Sequence, residues 1–242
     1  FAKGKLATSV LKSFPLASIR IGLTATPPSE KYSKLSLASF LGREIEYATA
    51  EDLIAIGYLT PPTIHMIDLP DVPDTETIGL SYQELYDKFI VENDFRNQLI
   101  ADTTKAIGKK PSKILILTKN LRHAEVLRNL IPGAYKLEGK DSLESREETL
   151  NKFIHDSSSS VMIGTIIFQT GVDIPELTHL INARGLKSEI ATIQALGRTL
   201  RKHESKKEVS IYDFIDKVPY LSAHSHSRLL AYKSLNFNIK CK

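Results

Sequence analysis

The stretch Lys113-Ile114-Leu115-Ile116-Leu117-Thr118-Lys119-Asn120 decides the fold. A short apolar run bounded by polar residues is the signature of a strand covered on both faces, as in a parallel sheet. Asn120 then caps a helix running to 130, with Ala124, Leu127 and Leu130 among its apolar positions. Outward from this pair the same alternation repeats. Downstream, the pattern predicts a strand at 135–137, a helix at 142–155, a strand at 161–164 and a strand at 179–183. A helix over 188–200 and a strand at 209–214 follow. Upstream, Ser81-Tyr82-Gln83-Glu84 reads as a capping box, opening a helical pattern through Leu85, Tyr86, Phe89 and Ile90 that resumes at Leu99, Ile100 and Ile107. Strands alternating with helices predict an α/β fold, a parallel sheet with helices on both faces.

Outside this region the order is weaker. Ile19-Arg20-Ile21-Gly22-Leu23 reads as one more buried strand, with helices at 31–40 and 50–56, before Pro61-Pro62 breaks the pattern. Sixty residues with a single strong strand make a poor core, so a domain boundary falls between 60 and 61, and residues 1–60 read as the tail of a domain that begins upstream. The chain opens on Phe1 rather than Met, in keeping with that expectation. Residues 222–237 read as a terminal helix packing Leu229, Leu230 and Leu235.

Composition narrows the class. Of 242 residues, 42% are hydrophobic and 25% charged, ordinary values for a folded globular chain. No apolar run reaches membrane-spanning length, so no membrane partner is expected. A lone cysteine, Cys241, fits a reducing, cytoplasmic setting. The net charge of +4 is uneven: residues 181–242 hold 12 basic against 5 acidic side chains, whereas 71–180 hold 13 against 17. A basic last quarter fits nucleic acid, although a solvated surface has the same composition.

Three stretches carry candidate chemistry. In Gln194-Ala195-Leu196-Gly197-Arg198-Thr199-Leu200-Arg201, residues Gln194, Arg198 and Arg201 fall on one helical face. That is either a solvated basic face or a phosphate clamp, since a guanidinium keeps its charge and its planar fork matches two phosphate oxygens. Thr165 directly follows a buried strand, at the sheet edge where ligands bind in open α/β folds. Beyond it, Gly171 permits close backbone approach and Asp173 can accept from hydroxyls, or the pair is merely a turn. Thr24-Ala25-Thr26-Pro27 either ends a strand or offers two hydroxyls at the same kind of edge. His224 and His226 point apart on a helix start, and no nearby set completes a metal site.

Taken together, in this order and spacing, these stretches resemble superfamily 2 helicases of the DEXH type, in the subgroup of phage UvsW-like enzymes and type I restriction motors. Thr24-Ala25-Thr26-Pro27 resembles motif III, Ile114 through Asn120 motif IV, residues 165–175 motif V and residues 194–201 motif VI. The resemblance implies a remnant of a first RecA-like domain at 1–60 and a second RecA-like domain at 61–242. It implies an ATP-dependent DNA helicase or translocase, active in repair or recombination, with ATP and Mg²⁺ as cofactors. Arg201 would be an arginine finger, Arg198 a second γ-phosphate contact, and Gln194, Gly171 and Asp173 would line the nucleotide cleft. Thr24 and Thr26 would couple ATP state to domain closure, and Thr165, Thr118, Lys119 and Asn120 would touch the DNA backbone. RNA stays open, because such motifs hold phosphates. The sequence departs from the family in holding no Gly-x-x-x-x-Gly-Lys-Ser/Thr and no Walker B carboxylate pair. The metal- and phosphate-holding groups are therefore expected on the missing first domain, the chain's implied partner, and this chain alone is expected to be inactive. The alternative is a non-catalytic RecA-like nucleic-acid-binding module or a subunit of a split helicase. The implied place is the cytoplasm, or the host cytoplasm for a phage-encoded chain.

Overall fold

The structure is a computed structural model that describes residues 5–23, 31–45, 48–137, 141–165, 174–187, 197, 199–204 and 206–241. The chain forms two compact units, 1–49 and 50–242.

The first unit holds helices α1 (Lys5–Ser13) and α2 (Lys31–Leu41). The Arg20 guanidinium donates to the Phe14 carbonyl at 2.7 Å and to the Phe40 carbonyl at 3.4 Å, tying the segment between the helices to both. The strand expected at 19–23 is not formed, and Ile19, Ile21 and Leu23 are exposed. A parallel strand takes all its ladder hydrogen bonds from neighbouring strands, and the described residues of this unit supply none.

The second unit opens with α3 (Ala50–Ala55) and builds a seven-stranded sheet. Its strands are β1 (Pro62–Asp68), β2 (Lys113–Leu117), β3 (Tyr135–Leu137), β4 (Ser160–Gly164), β5 (His179–Asn182), β6 (Val209–Ile215) and β7 (Asn238–Cys241). Their order is β3-β4-β2-β5-β6-β1-β7, and every pairing is parallel. The Pro61-Pro62 break therefore introduces a strand: proline is tolerated at a strand's first residue, and the Pro61 carbonyl still accepts from Val209 N. The helices between strands are α4 (Tyr82–Tyr86), which runs on as a π-turn over Asp87–Val91, then α5 (Asp94–Ile107), α6 (Leu121–Leu130) and α7 (Leu143–His155). The last described helix, α8 (Leu221–Ser234), precedes β7.

Alternation along the strands sorts side chains onto two faces. One face buries Ile64, Met66, Leu115, Leu117, Met162, Leu180 and Ile211 against Phe153 of α7, Tyr232 of α8 and Ile54 of α3. The other buries Ile114, Ile116, Ile163, Ile181 and Phe214 against Ile100 and Ala101 of α5 and Ala124 and Leu127 of α6. Both faces are thus covered, as the apolar runs predict. A third cluster, Leu85, Tyr86, Phe89, Ile90, Val91, Val218 and Leu221, fastens α4 and its π-turn to the start of α8. The caps read in the sequence are formed, since Ser81 and Glu84 make the capping box and Asn120 accepts a backbone N–H at its helix start; Asn93 and Ser142 cap α5 and α7 in the same way.

Candidate functional site

In a parallel sheet the carboxyl ends of all strands share one edge, and the loops leaving it converge. Here β2 ends at Leu117 in register with Gly164 of β4, so Thr118 and Thr165 leave the sheet side by side. Thr118 N donates to the Gly164 carbonyl at 2.9 Å, and its hydroxyl donates to the Asn120 carbonyl at 3.3 Å. Thr118 is fully buried and Thr165 nearly so, while Lys119 and Asn120 are half-buried. The Asn120 side-chain oxygen is committed to the N–H of His123 as the cap of α6. Lys119 therefore presents the loop's charge. Its ammonium lies 4.1 Å from the Tyr86 ring centroid and 5.5 Å from that of Tyr82, over rings that attract a cation.

A buried ionic lattice holds this edge. Asp213 near the end of β6 receives the Arg228 guanidinium (Nε at 2.9 Å, Nη2 at 3.0 Å), the Tyr232 hydroxyl at 2.6 Å and the Asn182 amide at 2.9 Å. Burial works to raise the Asp213 carboxyl, but the Arg228 charge and the converging hydrogen bonds override it and hold the group below the usual carboxylate range. Arg228 also reaches the carbonyls of Leu186 and Phe214, so α8 is pinned to the ends of β5 and β6 at once. Arg96, in the first turn of α5, pairs with Asp216 at 3.1 Å, donates to the Ala183 carbonyl and stacks 4.6 Å over Phe214. One residue on, Asn97 donates to the Val91 carbonyl, which fixes its amide orientation, and its oxygen meets His123 Nε2 at 2.9 Å. That oxygen can only accept, so His123 carries its proton on Nε2. Burial, with Arg96 nearby, pushes the His123 pKa down to about 3 and keeps the ring neutral.

Sequence reading passed over Asp213, Arg228 and Tyr232. The signal was present: Leu221, Ser225, Arg228 and Tyr232 recur at helical spacing, and α8 buries all four together with Ala231, while Leu230 is exposed. An arginine on the apolar face of a helix asks for a buried carboxylate partner. His224 is likewise more than a solvated helix start, since its Nδ1 lies 3.2 Å from the Gly185 carbonyl and its ring packs on Tyr82.

Arg201 sits at the opposite edge. It forms an isolated antiparallel bridge with Leu59, and Thr60 N donates to the Leu200 carbonyl at 2.7 Å, where the chain enters β1 at the amino end of the sheet. Leu200 is buried in the core cluster and the Arg201 side chain is exposed. The loop that follows is anchored too: Lys206, expected as part of an exposed loop, is buried, and its ammonium donates to the Thr199 carbonyl at 2.7 Å and to that of Leu177 at 3.4 Å. The fold gives this lysine to the last carbonyls before Arg201 rather than to solvent.

Of the residues singled out in the sequence, Thr118, Lys119, Asn120 and Thr165 come together at the carboxyl edge, and Arg201 stands apart from them. Thr24, Thr26, Gly171, Asp173, Gln194 and Arg198, with most of the helix expected at 188–200, lie outside the described residues. Among the described residues no group of His, Cys, Asp and Glu could hold a metal ion, and no helix is long and apolar enough to cross a membrane.

Residues 97–203 match the helicase conserved C-terminal domain. The ATP-dependent DNA helicase uvsW of Enterobacteria phage T4 is 27% identical, across all of this chain and 52% of its own length. The crystal structure of T4 UvsW superposes with a TM-score of 0.63 at 26% identity, over 76% of this chain and 42% of that one. A fragment of a putative HsdR subunit of a type I restriction enzyme from Vibrio vulnificus YJ016 gives 0.67 at 20% identity, over 91% of this chain and 43% of that one, a likeness of fold. The chain spans about half the length, or less, of the curated relatives it matches.

Proposed function

We propose, from the match of residues 97–203 to the helicase conserved C-terminal domain and from the RecA-like fold shared with T4 UvsW, that this chain is the C-terminal part of an ATP-dependent DNA helicase or translocase. Homology to ATP-dependent helicases implies use of ATP; the finer reading assigns the two sheet edges different tasks. The observation that carries it is their separation: Thr118, Lys119 and Thr165 at the carboxyl edge, Arg201 at the amino edge, joined by one packed sheet. The carboxyl edge holds a DNA strand by its phosphates, which is sequence-independent and salt-sensitive as translocation requires. At the amino edge, Arg201 suits a phosphoryl oxygen. It is an always-charged planar fork, exposed, on backbone fixed by the Leu59 bridge. ATP bound with Mg²⁺ supplies the transferable γ-phosphoryl group. Arg201 stabilises the charge that develops there, with Arg198 as a second contact and Gln194, Gly171 and Asp173 along the cleft. Thr24 and Thr26 couple ATP state to closure of the first RecA-like domain, whose tail lies within residues 1–49 and which carries the metal-holding groups. A rigid sheet between the edges then turns closure at one into altered grip at the other. This chain alone hydrolyses negligible ATP.

The test is DNA-stimulated ATP hydrolysis by the full-length protein. Arg201→Ala is expected to lower the turnover rate about 10³-fold or more while DNA binding without nucleotide persists. Turnover unchanged by Arg201→Ala sinks the finger assignment. Stimulation by RNA but not DNA transfers the reading to an RNA helicase. Salt-sensitive DNA binding with no turnover by the full-length protein favours the non-catalytic module.

A further inference from the structure

Beside the Lys119 loop, a group of rings carries the third core cluster outward from buried Tyr86 to the surface, and core packing does not account for its outermost member, Tyr220. Tyr82 lies at its centre: Tyr86 is 6.1 Å away, Tyr220 6.3 Å away and edge-on at 84°, and His224 5.6 Å away at 61°. Tyr86 is fully buried, its hydroxyl donating to the Arg184 carbonyl at 2.8 Å, so it forms the floor. Tyr82 is half-buried, and Tyr220 stands 60% exposed at the rim. The Lys119 ammonium is 5.5 Å from the Tyr82 centroid, on the same ring that Tyr220 abuts.

The backbone of Tyr220 is the second observation. At φ 63°, ψ −46° it is the centre of a γ-turn, closed by Leu221 N donating to the Pro219 carbonyl at 2.8 Å. That turn is rare and strained for a residue with a side chain, and glycine would adopt it freely. As the N-cap of α8, Tyr220 also makes no side-chain capping bond. A large apolar ring is thus held out into solvent on a strained turn, where a glycine or a capping residue would serve the fold better. Strain of this kind persists where the surrounding structure over-determines it, and it gathers at ligand-binding positions.

We propose that Tyr220, backed by Tyr82, is a stacking platform for an unpaired nucleobase, and that Lys119 holds an adjacent phosphate of the same strand. This rests on the reading of the carboxyl edge as the nucleic-acid side. It adds that the edge engages bases as well as backbone. Every base has a π face, so such a platform discriminates unstacked strand from duplex without reading sequence. A cation beside exposed aromatic rings is the combination single-strand grooves use. The His224 ring buttresses Tyr82 from the α8 side, anchored by its contact with the Gly185 carbonyl.

The experiment measures binding of this chain to a short single-stranded oligothymidylate carrying one 2-aminopurine, and to the same strand with abasic sites. Quenching of 2-aminopurine fluorescence reports stacking, and affinity is read in parallel. Wild type is expected to quench the probe and to bind the abasic strand about tenfold more weakly than the intact one. Tyr220→Gly, which suits the turn and so retains the fold by thermal unfolding, is expected to lose the quench and the preference for bases; Tyr220→Phe is expected to keep both. Equal affinity for intact and abasic strands, or a quench that survives in Tyr220→Gly, overturns the platform and leaves phosphate contact standing. Failure of Tyr220→Phe to restore the quench overturns it as well. Failure of wild type to bind either strand overturns both the platform and the nucleic-acid reading beneath it.

Discussion

The carboxyl edge of the sheet is fastened through its interior, whereas the amino edge is fastened through its backbone. At the first, Arg96, Asp213, Asp216 and Arg228 lie buried in interlocking ion pairs that tie α5 and α8 to the ends of β5 and β6. At the second, the backbone of Arg201 is bridged to Leu59 and its side chain is exposed, while the Leu200 carbonyl accepts from Thr60 N and the Thr199 carbonyl from Lys206. The difference has a physical origin. On the proposed reading, loops that keep one shape while holding a strand need partners that cannot rearrange, and the buried bidentate pair of Arg228 and Asp213 is of that kind. On the same reading, the arginine proposed to meet phosphate is one whose side chain the fold leaves exposed.

The two edges are therefore expected to answer mutation oppositely. The largest effect on stability belongs to the carboxyl edge. Arg228→Ala strips Asp213 of its charge partner, leaves a carboxylate buried, and is expected to cost about 3–5 kcal/mol in denaturant unfolding. A loss below about 1 kcal/mol would mean the lattice does not hold the edge.

Acid supplies the next largest. His123 is neutral in the folded chain, with its pKa pushed down to about 3, and His179 likewise to about 4, mainly by burial. The unfolded chain protonates both near pH 6.5, so between about pH 6.5 and those values it binds more protons than the folded one. Both groups therefore contribute stability that is present above about pH 6.5 and lost on acidification through this window, at up to about 1.4 kcal/mol per pH unit for each. In His123→Gln, which can still donate to Asn97, the pH dependence of unfolding should flatten relative to wild type. An unchanged slope would locate the acid sensitivity elsewhere.

The smallest effect belongs to the amino edge: Arg201→Ala should change unfolding free energy by no more than about 0.5 kcal/mol, as exposed side chains do. A drop comparable with that of Arg228→Ala would erase the contrast between the edges. Intermediate in kind is Lys119→Ala, which should weaken single-strand binding and reduce its log–log salt slope by about 1, measured by titration at several salt concentrations.

Much of this was legible along the chain because the responsible interactions are local. The apolar run 114–117, the Asn120 cap and the Ser81–Glu84 box each need only a few consecutive residues, and each formed as read. Reading failed where neighbours distant in sequence decide. Residues 19–23 are as apolar as a strand yet have none to pair with among the described residues of their unit. Pro61-Pro62 looks like a break and introduces a strand, because β6 supplies its ladder from nearly 150 residues away. Lys206 reads as loop and is buried, because carbonyls left over at 177 and 199 fold onto it.

By itself, then, the sequence determined the alternation of strands and helices and the caps that start them, since periodicity and spacing are properties of the chain, and it carried the resemblance to helicases that the match over residues 97–203 bears out. Only the tertiary structure decided which loops meet. It set Thr118 beside Thr165, put Arg201 at the far edge, paired Arg228 with Asp213, and brought Tyr82, Tyr220 and Lys119 to one rim. Those contacts join residues from about 15 to nearly 150 positions apart, and strand order, which no local pattern encodes, is what brings them within reach.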